Sequence, residues 1–232
     1  MKLLISGDGR SGTCWLAEII RISKSYNFTG LPEDKDFFYY KDLPDLYATK
    51  LATDQGTFNW FNIDKFMTQH QDLKIIFSIR HPVRHVMAKM ANTDTKNSKR
   101  NSKIPYYSVF KYLKTIRKMY QLYVLLKNKY SDRVFYTKLE NRIIDTEKEI
   151  RNICKILNIK FEPDMLNAHK YTKNEYHQKR YGNKIDKSQA KICSSQKNAY
   201  DGFFNDKKDI IEIIKSGVDD IADYFGYDIN EK

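Results

Sequence analysis

LLISGDGRSGTCWLAEII, residues 3–20, passes from an apolar run through a turn with three glycines into residues that repeat at helical spacing. Residues 2–6 read as a short buried strand that ends at Gly7 and Gly9. Trp15, Leu16, Ile19, Ile20 and Ile22 then recur with the period of one helix face. A strand, a glycine turn and a helix start gather several backbone N–H groups around one point, and the positive end of the helix dipole adds to them. Such a place suits a phosphate. Gly7, Gly9 and Gly12 permit the close turn, while Ser11 and Thr13 add hydroxyl donors. A merely tight connection is the plainer reading. Three glycines beside Arg10 and Ser11-Gly12-Thr13 weigh against it.

The chemistry of the loop lies in what it lacks. In nucleoside triphosphatases a lysine after the second glycine reaches the β- and γ-phosphates, and a hydroxyl residue holds Mg²⁺. Here Gly12 is followed by Thr13 and Cys14, and no convincing apolar strand ends in the aspartate a metal site needs. Arg10, inside the loop, is placed to sit over the terminal group of a ligand whose first phosphate lies in the cradle.

Length and composition bound the reading. The 232 residues suit one domain, 1–232, large enough to bury a core. Mean hydropathy is −0.67, and the longest apolar runs are far shorter than the ~20 residues that span a bilayer. The N-terminus opens on an apolar run without a charged region and cleavage site, so the expected location is the cytoplasm. Cys14, Cys154 and Cys193 are odd in number and widely spaced, which fits reduced thiols rather than a disulfide framework or a zinc site. A net charge of +12, from 41 basic and 29 acidic residues, attracts anions without choosing among them.

Further along, the pattern predicts a short strand near 26–29, a helix within 34–51 and a helix over 62–70. KIIFSI, residues 74–79, is the strongest strand, and Pro82 suits the first turn of a helix to about Met90. Residues 92–104 are polar, basic and aperiodic, a loop. A long helix over 106–130 is expected to bury Phe110, Leu113, Ile116, Tyr120, Tyr123 and Val124. A strand follows at 133–139. Thr146 and Glu149 form a capping box for a helix burying Ile150, Ile153, Cys154 and Leu157. A last helical region covers about 206–225. Strands alternating with helices predict an α/β domain: three layers, a central mostly parallel sheet flanked by helices, and the P-loop-like turn after the first strand.

At this point GDGRSGTCWL resembles the 5′-phosphosulfate loop of the sulfotransferases, which use 3′-phosphoadenosine 5′-phosphosulfate (PAPS). Their loop has the form [KR]-S-G-T-T-W-L, from which only Cys14 departs. The resemblance implies that Arg10 contacts the bridging oxygen of the leaving group. It further implies that Gly9, Ser11, Gly12, Thr13 and Cys14 form the phosphate-binding turn, and that Trp15 lines the adenine pocket. KIIFSIRHPVRHVMAKM, residues 74–90, resembles the family's second signature, whose arginine binds the 3′-phosphate and matches Arg80. An arginine at the carboxyl end of a parallel strand can in any case fork onto phosphate oxygens. A serine that also serves the 3′-phosphate in many relatives is replaced by Ala88, beside Lys89.

Residues 133–166 resemble a third element, with Tyr136 matching a tyrosine that approaches adenine and Thr137-Lys138 replacing Glu-Asp. The closing IADYFGY is similar to the family's last helix. KRYGNK, residues 179–184, is a loose match to a late 3′-phosphate element through Arg180.

The resemblance implies in-line transfer of a sulfuryl group from PAPS to a hydroxyl or amine of an acceptor, with 3′,5′-bisphosphoadenosine (PAP) as product and no metal. The acceptor needs a general base. Relatives use a glutamate or a histidine. Glu33, after Gly30-Leu31-Pro32, is the first choice for this catalytic role beside Arg10; Asp54 is second, ahead of His70 and His85. A small-molecule or carbohydrate acceptor is expected, with Phe37, Phe38, Tyr39, Tyr40, Phe58 and Trp60 as stacking groups or as core. No membrane partner is expected. Two alternatives stand beside this: a nucleotide kinase-like P-loop enzyme, and a non-catalytic nucleic-acid-binding protein using KNSKRNSK, residues 96–103. Nucleic acid is the weaker partner.

Overall fold

The computed structural model of the protein describes residues 1–23, 25, 37–53, 58–97, 106–168, 204 and 207–230. Four parallel strands form its sheet: β1 Lys2–Gly7, β2 Ala48–Ala52, β3 Leu73–Ile79 and β4 Val134–Lys138, in the order β2-β1-β3-β4. β1 pairs with β2 in the register Leu3↔Ala48 and with β3 in the register Lys2↔Leu73. β3 pairs with β4 from Ile75↔Val134 to Ile79↔Lys138.

The helices are α1 Thr13–Ile22, α2 Trp60–Gln69, α3 Pro82–Asn97, α4 Tyr106–Lys129, α5 Leu139–Ile144, α6 Thr146–Leu157 and α7 Lys208–Phe225. Successive strand residues point to opposite faces, and the two faces gather separate cores. Leu4, Ile75, Phe77 and Ile79 pack with residues of α2, α3, α4 and α7, whereas Leu3, Ile5 and Ile76 pack with α1 and α6. Helices thus cover both sides of a parallel sheet, as its buried strands require. This is the predicted three-layer architecture.

Four expectations are corrected. Residues 48–52 form a central-sheet neighbour of β1, not part of a helix; Ala, Lys and Leu favour helix locally, but the open edge of β1 decides. α3 continues to Asn97 through residues expected to loop, since no glycine or proline interrupts 83–97. In α4 the buried stripe is Val109, Tyr112, Leu113, Ile116, Met119 and Tyr123, which leaves Phe110 59% exposed. Asp145, not Thr146, caps α6: its side chain accepts from the Lys148 N–H at 3.1 Å, while the Glu149 carboxylate accepts from the Thr137 hydroxyl at 2.6 Å. The short strand expected near 26–29 lies outside the described residues. No described helix is long and apolar enough to cross a membrane.

Candidate functional site

β2 and β3 lie on opposite sides of β1, so the loops leaving the carboxyl ends of β1 and β3 diverge there. Open α/β sheets bind ligands at such a switch point. Here it holds the glycine loop, residues 8–12, and the Arg80-His81 turn. Thr53, leaving β2, donates its N–H to the Gly7 carbonyl at 3.1 Å, so all three strand ends meet at the loop.

The loop is tightly built. Gly7 and Gly12 adopt φ of 140° and 85°. A Cβ on Gly7 would collide with the Ser78 carbonyl, so glycine is required there, while at Gly12 the positive φ favours glycine and a Cβ would press on the Leu139 side chain. Arg10 itself takes a left-handed φ of 76°, a conformation that disfavours any side chain by about 1–2 kcal/mol. The Ser11 N–H and hydroxyl both donate to the Asp8 carbonyl, at 3.2 and 2.7 Å. Gly12 is the N-cap of α1, whose first-turn N–H groups have no intrahelical acceptor.

Behind the loop lies Arg142 of α5, fully buried. Its Nη1 donates to the Gly12 carbonyl at 3.1 Å and its Nη2 to the Ser11 carbonyl at 3.3 Å. Nη2 also donates to the Ser78 hydroxyl, which in turn donates to the Ser11 carbonyl at 2.5 Å. The guanidinium lies over the Trp15 ring, 5.0 Å from its centroid. Burial lowers this guanidinium to about 10, against the pull of Glu140 and Glu149, and leaves it charged at neutral pH.

In front of α3 a second cluster secures the loop's start. Asp8 is fully buried; its Oδ1 accepts from the Gly9 N–H at 2.9 Å and from the Lys89 Nζ at 2.5 Å. Burial pushes the Asp8 carboxyl up, opposed by Lys89. The His85 Nε2 donates to the Gly9 carbonyl at 2.8 Å. Burial first, then Lys89, lowers His85 to about 3, so the ring is neutral, and its low proton affinity suits it poorly to serve as a base.

Arg80 reaches the same loop, its Nη1 donating to the Arg10 carbonyl at 3.5 Å. The His81 N–H donates to Glu140 Oε1 at 2.9 Å, and the Tyr227 hydroxyl donates to Glu140 Oε2 at 2.9 Å, which fixes the turn carrying Arg80. The structure therefore brings Gly9, Arg10, Ser11, Gly12, Thr13, Cys14, Trp15 and Arg80 to one place. It sets Tyr136 apart: that ring packs on Tyr123 and Phe225, on the α4–α7 face, whereas Trp15 packs with α6 on the other. His70 caps the carboxyl end of α2, beside the entry to β3 and at the far end of the sheet from the loop. Phe37 and Phe58 are core, with the partly buried Phe38 packed edge to face against both, whereas Tyr39 and Tyr40 are exposed. Glu33, Asp54 and Arg180 lie outside the described residues.

Sequence reasoning missed Arg142, Asp8 and Lys50, and took His85 only as a base candidate. Lys50, buried on β2, places its Nζ 3.4 Å from the Cys14 Sγ. For Lys50 the signal was a cation inside an apolar run, ATKLA, where a neighbouring group must replace the water that solvates it.

A model described as the sulfotransferase family matches residues 33–163, more than half of the chain; the span includes Arg80 and begins after the glycine loop. The chain is similar to the sulfotransferase domain from the curacin biosynthetic pathway, with 15% identity over 97% of both chains and a TM-score of 0.55. It is similar to mouse sulfotransferase SULT7A1 complexed with PAP, with 17% identity over 93% of this chain and 88% of that one and a TM-score of 0.55. The sulfotransferase domain of the Synechococcus PCC 7002 olefin synthase matches at 12% identity over 98% and 94%, with a TM-score of 0.57. At these identities the likeness is one of fold. No curated protein sequence matches the chain.

Proposed function

The chain belongs to the sulfotransferase family, and on that premise we propose that its one domain transfers a sulfuryl group from PAPS to a hydroxyl or amine of a small-molecule or carbohydrate acceptor. The observation that carries the reading is the joining of two strand ends at the switch point: the cradle holding Arg10, and Arg80 bonded to the Arg10 carbonyl. The residues fit the donor. Orphan N–H groups at the start of α1 suit its 5′-phosphate, and a fully buried guanidinium stands directly behind them.

PAPS supplies an activated sulfuryl group on a phosphate leaving group. Arg10 and the N-terminus of α1 stabilise the charge that gathers on that phosphate as the bond to sulfur breaks. Thr13 and Ser11 belong to the same turn. Arg80 receives the 3′-phosphate as a fork, and Trp15 offers a face to adenine. With Ala88 in place of the family's serine, the 3′-phosphate leans more heavily on Arg80. Glu33 takes the acceptor proton, with Asp54 as the competing base. His70 and His85 are poor rivals: one lies at the wrong end of the sheet, and the other is buried with its Nε2 engaged by the Gly9 carbonyl.

Release of PAP from PAPS over a panel of sugar, phenol and amine acceptors tests this. Arg10→Ala is expected to lower kcat by about 10²–10³. Glu33→Gln is expected to lower it by about 10²–10⁴ while PAP binding persists. A full rate in Glu33→Gln with loss in Asp54→Asn would transfer the role of base to Asp54. A full rate in Arg10→Ala would overturn the assignment of the loop.

A further inference from the structure

A trans peptide plane points its C=O and its N–H in opposite directions. The peptide joining Ser11 to Gly12 has its carbonyl held by the Arg142 Nη2 and the Ser78 hydroxyl, so the Gly12 N–H faces away from them. The peptide joining Gly12 to Thr13 has its carbonyl held by the Arg142 Nη1 and by the Leu16 N–H at 3.1 Å, so the Thr13 N–H faces away likewise. One side chain thereby sets the direction of two donors in the cradle. It does so with a charge that has no carboxylate within ion-pairing distance among the described residues. Glu140 is engaged by His81 and Tyr227, and Glu149 by Thr137. A buried cation in that state lowers the free energy of an anion placed on the other side of the loop.

We propose that Arg142 is a positioning residue of the anion-binding loop: from behind, it aims the Gly12 and Thr13 N–H groups at the 5′-phosphate, and its buried charge, which Glu140 and Glu149 act on only from a distance, gains its close counter-charge in that ligand. Arg142 does not touch the reacting atoms; it acts through the Ser11 and Gly12 peptides. Its contact with Trp15 couples the same guanidinium to the ring beside the loop. The inference deepens the sulfotransferase reading, which supplies the identity of the ligand, and assigns a residue that neither the loop motif nor the Arg80 signature contains.

Binding of three nucleotides separates this from a merely structural role. PAP carries both phosphates, adenosine 3′-monophosphate lacks the 5′ group, and AMP lacks the 3′ group. In Arg142→Gln the affinity for PAP and for AMP is expected to fall about 10- to 100-fold, the effect of a lost charge-assisted donor pair, while adenosine 3′-monophosphate binds within about threefold of wild type. Arg142→Lys, which keeps the charge and loses the fork, is expected to recover part of the loss and provides a folded variant if glutamine is not tolerated. Equal loss for all three ligands, or no loss for PAP, would overturn the proposal. If wild-type protein binds no PAP, the sulfotransferase reading is what fails. The probe is then inorganic pyrophosphate: binding that depends on Arg142 supports the positioning role, and binding indifferent to Arg142 sinks it.

Discussion

Arg10 shows how much of the site turns on one residue's backbone. Its left-handed φ of 76° is tolerable for glycine and strained for arginine. Arg10→Gly is therefore expected to hold or raise stability, by up to about 1 kcal/mol, while sulfuryl transfer falls by orders of magnitude. Thermal melts beside kcat/KM check both halves; a destabilised variant would remove the claim of strain. Asp8 and Lys89 form the opposite case, an ion pair with one partner fully buried. Lys89→Met strands the carboxylate and is expected to cost about 3 kcal/mol or more, whereas the double change with Asp8→Asn costs much less. Additive losses in urea titrations would show that the pair is not coupled. At this scale the sequence was half legible. Arg10 and Arg80 sit in short local stretches that could be singled out in the sequence, and the structure brings the two together. Arg142 and His85 reach the loop only when α5 and α3 close on it, from 130 and 76 residues away in the chain.

The elements were read well wherever pattern and packing agree. KIIFSI is buried on both faces, and its apolar run announced a central strand. ATKLA fails by the same logic, because its composition favours helix and only the free edge of β1 makes it a strand. The face of α4 was misjudged by about one residue, since both α3 and α7 claim it and its apolar residues spread around much of the helix. α5 is too short to carry a period, so a six-residue helix that delivers Leu139, Glu140 and Arg142 to the loop left no signal. Its Glu140 ties the turn after β3 to the closing Tyr227. Tyr227→Phe leaves one buried Glu140 oxygen without its donor and is expected to lower stability by about 1–3 kcal/mol. Denaturant midpoints measure it; an unchanged midpoint would mean that this anchor does not hold the turn.

For the molecule as a whole, His85 sets a direction for pH. Its unfolded value is near 6.5 and burial holds the folded value at about 3. Between these the unfolded chain binds a proton that the folded chain refuses, so stability falls as pH falls through this window, by up to about 1.4 kcal/mol per unit. Asp8 acts with the opposite sign at the acid end, since burial raises its carboxyl and the folded state takes up that proton first. His85→Gln, which keeps a donor for the Gly9 carbonyl, is expected to flatten the wild-type slope between pH 6 and about 4. An unchanged slope would place the acid sensitivity elsewhere. The architecture that buries His85 also builds the candidate site: β1 at the switch point, its loop pinned from α3 on one side and from α5 on the other.

Whether this loop and Arg80 hold the two phosphates of one nucleotide is decided by calorimetric titration of the wild-type protein and of Arg80→Ala with PAP, against AMP as control. The expected result is binding of PAP much tighter than of AMP, with the difference abolished in Arg80→Ala. Equal binding of PAP and AMP by the wild type, or a preference that survives the loss of Arg80, would contradict it.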